Sequence, residues 1–348
     1  MAESLTSPAP GAVTARSLSH PTPGWQQAMR ASVTDVETLF SRLALPAEQL
    51  DAARRAAALF GLRVPESYLA RMTPGDIDDP LLRQVLPLDA ETIERPGFAW
   101  DAVGDLDSTT GDGLLHKYHG RALLVTTGAC AVHCRYCFRR HFDYSAHHAG
   151  GSRMRQVIAR IAADASLAEI ILSGGDPLSL TNDRLATIGA ALDAITHVRR
   201  LRLHTRTAIV LPERIDAGLL DWIAARRARV VVVVHVNHAR ELSPGVCARL
   251  RALQRAGATL LNQAVLLAGV NDSAEAQIAL SEALFDAGVS PYYLHLLDRV
   301  AGVHHFEVPE QRAIALMRAV AARLPGYLVP KLAREQAGDT AKQVIGVA

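Results

Sequence analysis

Three cysteines fall in one short run, Cys130-Ala-Val-His-Cys134-Arg-Tyr-Cys137. Three thiolates on one tight loop can each hold one iron of a [4Fe–4S] cluster, because such clusters are bound through Cys sulfur. A complete protein set is four, so three leave one iron open to a small molecule that brings its own donors. A structural zinc site is the weaker reading. It asks for four ligands, often as two Cys-x-x-Cys pairs, and His133 or His141 would have to complete it. A disulfide framework belongs to short secreted chains, not to three clustered cysteines in a long one. Cys247, far along the chain in a helical stretch, reads as a small buried hydrophobe.

Such residues need a scaffold, and the pattern supplies one. Apolar segments at 122–126, 169–172, 201–204, 230–236, 259–267 and 292–296 read as strands. Helical segments near 153–164, 183–195, 214–226, 244–256, 274–287 and 310–323 alternate with them. Repeated strand–helix–strand units imply parallel strands with right-handed crossovers. The valines at 230–234 are apolar on both faces, as a covered parallel strand should be. Six units predict an α/β fold, an open and incomplete (β/α)6 barrel rather than a closed eightfold one. In β/α barrels function sits beyond the C-terminal ends of the strands. There the sequence puts the cysteine loop, Ser173-Gly174-Gly175-Asp176, His204-Thr205-Arg206, His235 with Asn237 and His238, Asn262 with Gln263, and His295 with Asp298. Any one of these alone is as well explained by a core or loop role. Their recurrence around the ring points to a site.

Composition narrows the class. The 348 residues are 49% hydrophobic, enough for one large core. A formal net charge of +2 gives no global attraction to nucleic acid or to a membrane surface. The first 25 residues are rich in Ser, Pro and Ala and lack the apolar core of a signal peptide. No apolar stretch reaches the roughly 20 residues of a membrane span. Few cysteines and an oxygen-sensitive cluster predict the reducing cytoplasm. Residues 1–30 read as a disordered N-terminus, 31–112 as a helical region and connecting loop, 113–325 as the barrel, and 326–348 as a C-terminal segment. In the helical region Thr34-Asp35-Val36-Glu37 resembles a capping box ahead of Leu39, Phe40 and Leu43. Pro46 opens a second helix that ends near Gly61.

Several segments carry a family resemblance. They are 113–121 (Gly-Leu-Leu-His-Lys-Tyr-His-Gly-Arg), 130–142, 173–178, 234–238, 261–267, 291–295 and 326–335, with Leu62-Arg-Val-Pro65 and 79–85 in the helical region. Together they resemble the lysine 2,3-aminomutase family of radical S-adenosylmethionine (SAM) enzymes over nearly the whole chain past residue 30. The tail and the 113–121 segment favour the branch that supplies β-lysine for elongation factor P. The resemblance implies a radical SAM partial barrel, and three cofactors: the [4Fe–4S] cluster, SAM and pyridoxal phosphate (PLP). It implies an isomerase that moves the α-amino group of L-lysine to the β carbon. A flavodoxin- or ferredoxin-type donor would supply the electron, and elongation factor P with its lysyl ligase would take the product. The same chemistry on free lysine, or an electron carrier without PLP, are the competing readings.

The resemblance also assigns residues. Cys130, Cys134 and Cys137 would bind the cluster. Gly174, Gly175 and Asp176, with His235 and Gln263, would lie at SAM. The chain is Arg-rich and Lys-poor, and Lys342, in Gly338-Asp-Thr-Ala-Lys342, holds the position of the PLP lysine. The family motif continues Lys-Thr-Pro where this chain reads Lys342-Gln343-Val344, and Lys331 is the competitor. Lys117 and Arg121 correspond to the basic pair at the PLP phosphate. Arg139 would bind the substrate carboxylate and Asp298 its ε-ammonium. The free-lysine enzymes add a second acid near the tail, a position taken here by Pro330. Ser273 stands where those enzymes carry an interface-zinc cysteine, so no zinc is implied.

Overall fold

A computed structural model describes residues 24–105, 113–144, 149, 151–339 and 341–346. Residues 1–23 of the expected disordered N-terminus lie outside them. The remainder of that stretch folds: α1 (Trp25–Arg30) buries Trp25 under the guanidinium of Arg214, 4.6 Å from the ring. The helical region therefore begins at Trp25 and continues through α2 (Val36–Leu43), α3 (Leu50–Leu59) and α4 (Glu66–Leu69). Asp35 caps α2 by accepting from Thr38 N at 2.8 Å.

One sheet organises the rest. Its strands are β1 (Leu114–Tyr118), β2 (Arg121–Thr127), β3 (Glu169–Gly174), β4 (Arg200–Thr205), β5 (Arg229–Val234), β6 (Thr259–Val265), β7 (Ser290–His295), β8 (Lys331–Arg334) and β9 (Gln343–Val344). They lie side by side in chain order. β2 to β8 are parallel, whereas β1 pairs with β2 and β9 with β8 antiparallel. Helices cover the crossovers: α5 (Ser152–Ala163), α6 (Asn182–Asp193), the short α7 (Thr207–Val210) leading into α8 (Ala217–Ala224), α9 (Pro244–Arg255), α10 (Ala274–Asp286) and α11 (Glu310–Ala321). Thr181, Asp216, Ser243 and Ser273 cap α6, α8, α9 and α10 with their side chains. Every residue of β3 is buried, and the valines of β5 are buried but for one. This is what two-sided coverage of parallel strands demands.

The sheet is open, as the sequence implies, but holds a seventh parallel strand. That strand, β8, is four residues long and begins at Lys331, whose segment reads from the sequence as strand or strand end. β1 was unforeseen. It turns back into β2 through His119-Gly120, with Tyr118 opposite Arg121 and Gly120 at φ +72°. A residue without Cβ suits that conformation.

The helical region forms its own core, and the cysteine loop is part of it. Ala131 and Val132 are buried with Tyr68, Leu81, Leu82 and Val85. A buried triad reinforces this contact. Glu91, in the segment read as connecting loop, takes Arg135 on both oxygens at 2.8 and 2.5 Å and Arg140 at 2.7 Å. The side chains of Glu91 and Arg135 are fully buried. Removing the shared carboxylate would leave two guanidinium groups unpaired. Glu91→Ala should therefore cost about 3–5 kcal/mol of unfolding free energy, read from the urea midpoint, and release the cysteine loop's iron-binding capacity with it.

Candidate active site

A cavity of about 490 Å³ opens between the inner face of the sheet and the cysteine loop. All thirteen site residues expected from the sequence border it: the three cysteines, Lys117, Arg121, Arg139, Gly174, Gly175, Asp176, His235, Gln263, Asp298 and Lys342. Lysine is scarce, with Lys117, Lys331 and Lys342 in the entire chain. Two of these three border the cavity, while Lys331 is exposed on the outside of β8.

On the cluster side, burial pushes the thiols of Cys130 and Cys134 above their ordinary range and that of Cys137 up to about 11. Buried neutral thiols await a cation that would deprotonate them. Among the described residues no three His, Cys, Asp or Glu side chains gather to hold a single ion. A four-iron cluster instead places each thiolate on a different iron, and the donor set present fits that demand. Cys247 stands elsewhere, on α9, half-buried against the barrel core.

The glycine turn after β3 approaches the start of the cysteine loop backbone to backbone. Gly175 N donates to Thr127 O at 2.7 Å and Asp176 N to Ala129 O at 2.9 Å. A Cβ on Gly175 would stand 2.4 Å from Ala129 O, and one on Gly174, at φ +116°, 2.5 Å from Thr127 O. Both positions therefore require glycine. Asp176 braces this turn from within. Its buried carboxylate accepts from Thr205 Oγ1, Arg206 N, Thr207 N and Leu178 N, all within 3.0 Å. Those bonds lock the β3 turn to the end of β4, so Asp176 positions the turn that borders the cavity.

The floor is made of uncharged histidines. Gln263 Nε2 lies 3.0 Å from His235 Nε2 and 3.5 Å from His204 Nδ1. Burial, then the charges of Arg206 and Lys342, push His235 down to about 3. Burial likewise lowers His204 and His295 well below the ordinary value. Nε2 of His204 and of His295 are buried with no partner among the described residues. Such atoms are costly unless a bound group satisfies them. Asn237 is committed elsewhere, bonding Gln84 and Val265 N.

The cavity is also lined by a ladder of alternating charge. Arg139 Nε donates to Asp105 Oδ2 at 2.7 Å, and Asp105 Oδ1 lies 2.5 Å from Lys117 Nζ. Lys117 is 3.5 Å from Glu335, which takes Lys342 at 2.7 Å. Burial works against the Asp105 and Glu335 carboxylates, yet the neighbouring cations outweigh it and hold both below their ordinary values. Asp298 faces the reverse balance: burial, then the Glu335 charge, push it up to about 7. Arg121 stacks on Tyr118 at 4.8 Å.

Asp105 and Glu335 are the site residues that the sequence reading missed. Pro330, given the place of the second tail acid, is buried outside the cavity, whereas Glu335 enters it from the end of β8. Its separation of seven residues from Lys342 was the available signal. Ser273 serves as the cap of α10.

An open parallel barrel that presents three thiols to a cavity with an amine-bearing, charge-laddered wall is the architecture of a radical SAM enzyme. Residues 112–207 match the family described as a 4Fe-4S single cluster domain. The chain is 46% identical to the L-lysine 2,3-aminomutase of Escherichia coli (strain K12), over 91% of this chain and 93% of that one. It is 39% identical to that of Haemophilus influenzae, over 91% and 94%, and 30% identical to that of Clostridium subterminale, over 91% and 76%. The chain belongs to the lysine 2,3-aminomutase family.

Gly175→Ala tests the backbone approach. It should push the cysteine loop outward, cost about 1–3 kcal/mol in thermal unfolding, and lower the iron retained per chain after reconstitution.

Proposed function

We propose that this protein is a SAM- and PLP-dependent L-lysine 2,3-aminomutase that makes β-lysine. The observation that carries this reading is one cavity bordered by all three cysteines and by Lys342 paired to Glu335. The cluster with SAM would supply the radical, and PLP the covalent handle for the migrating amino group; cofactors carry such chemistry while the protein orients them. Cys130, Cys134 and Cys137 would hold the cluster. The Gly174-Gly175 turn would admit the methionyl backbone of SAM, with His235 and Gln263 beside it. Lys342 would bind PLP covalently and Lys117 with Arg121 its phosphate.

The chain's own groups account for the substrate. Arg139, a buried cation beside the cysteine loop, would take the α-carboxylate. Asp298 would take the distant ε-ammonium, joined by Glu335 once the amino group of Lys342 is engaged by the cofactor. A lysine-shaped ligand then spans the wall with each end neutralised.

The 113–121 and tail segments bear on the product's destination. They favour delivery to a lysine of elongation factor P through its lysyl ligase, in the cytoplasm, with a flavodoxin- or ferredoxin-type electron donor. No described helix is long and apolar enough to cross a membrane.

Anaerobic reconstitution with iron, sulfide and PLP, followed by SAM, reductant and L-lysine, should yield β-lysine by mass spectrometry with chiral separation. Lys342→Ala should abolish both product and the PLP–lysine absorbance, while Lys331→Ala should leave both intact; the opposite pattern would reassign the cofactor lysine. Deoxyadenosine without β-lysine would sink the substrate assignment and keep the radical chemistry.

Asp298 gives a pH signature. A carboxyl raised to about 7 is neutral below that pH and gains its charge as pH rises through it. Binding an ammonium needs the charged form. The kcat/KM for lysine should therefore climb from pH 6 to pH 8 with an apparent pKa near 7, and Asp298→Asn should flatten that limb.

A further inference from the structure

We infer that Asp105 is a positioning residue, which sets the Arg139 guanidinium for the carboxylate of an amino-acid ligand and ties it to Lys117 at the cofactor end of the cavity. This deepens the aminomutase reading and rests on it.

The two edges of the Arg139 guanidinium are used unequally. Asp105 Oδ2 takes only Nε, at 2.7 Å. Among the described residues the Nη edge carries just the 3.3 Å bond from Nη1 to Ser173 Oγ. Arg139 and Asp105 are 8% and 3% exposed. The guanidinium lies 4.8 Å from the Phe138 ring and 6.0 Å from the Phe142 ring. One acceptor and two rings thus fix the plane, and the edge suited to bidentate carboxylate binding stays open. Asp105 does not occupy the ligand's place and need not withdraw when a ligand arrives.

The second oxygen of Asp105 works on the cofactor end. Oδ1 lies 2.5 Å from Lys117 Nζ, and Nζ also donates to Val103 O at 2.8 Å. The Asp105 amide donates to Asp101 Oδ1 at 3.0 Å. The loop from 101 to 105 therefore grips Lys117 at two points and Arg139 at one. Without that carboxylate, two buried cations would face each other across the cavity wall and each would recover freedom along its stem. A ligand carboxylate would then have to order the guanidinium itself, which weakens binding without touching the reacting atoms.

The test compares reconstituted wild type, Asp105→Asn and Asp105→Glu. Five quantities are read: iron per chain, PLP affinity from its absorbance, KM and kcat for L-lysine, and Ki for 1,5-diaminopentane, which has both amines and no carboxylate. Asp105→Asn should raise the lysine KM about tenfold and keep kcat within about threefold. It should weaken PLP severalfold and leave both iron content and the diaminopentane Ki unchanged. Asp105→Glu, which keeps the charge, should recover part of the lost lysine affinity. Unchanged KM in Asp105→Asn overturns the inference. So does a parallel rise of KM and Ki, or loss of iron, since each marks a general support. Should Asp105→Asn fail to fold, Asp105→Glu decides alone: its lysine KM must rise with Ki constant. A wild type that never turns over lysine overturns the aminomutase reading itself, an outcome distinct from matched wild type and Asp105→Asn.

Discussion

The site depends on one buried carboxylate. A loop that turns three thiols toward a cavity cannot satisfy its own backbone in a helix or strand, so its shape must come from outside. Glu91 provides this by holding Arg135 and Arg140, one on each side of Cys137. Arg135 also donates to the carbonyls of Phe60, Gly61 and Ala56 at the end of α3. The helical region is thereby fastened to the cluster motif, and its core absorbs Ala131 and Val132. Buried ion pairs contribute little net stability over a hydrophobic equivalent, but they tolerate only one geometry. Here geometry is what the cysteine loop lacks by itself.

The cavity separates charge from neutral polarity. Its wall alternates cation and anion, so no two like charges adjoin in a poorly screened space. Its floor is imidazole and amide, kept uncharged by burial. Under the proposed function, a ligand with fixed charges at its ends would meet the wall, while its uncharged middle would meet groups that neither add nor remove charge. Asp298, poised near neutrality at one end, is the exception.

Much of this was legible in the sequence because the signals are local. Six buried strands announce themselves as apolar runs, and the residues that follow them fall on one rim. The three cysteines carry their meaning in their spacing. Asp105 and Glu91 were illegible for the opposite reason. Each is one acid among several in an aperiodic segment, and nothing nearby in sequence says that its partner lies 34 or 44 residues on. The bonds on Asp176 were hidden for the same reason, since three of its four donors come from the end of β4.

The order of the strands has a consequence for how the molecule is made. Each strand pairs with those before and after it in the chain, so a sheet of nine can grow by adding one edge at a time as synthesis proceeds. Early strands need no later partner to find their register, which keeps the loops to be closed short. The cysteine loop follows β2, and its brace at Glu91 is made earlier still. Lys342 stands just ahead of β9, the last strand described. A growing chain could accept iron long before it could retain the second cofactor, so capture of the latter would report that the whole sheet is complete.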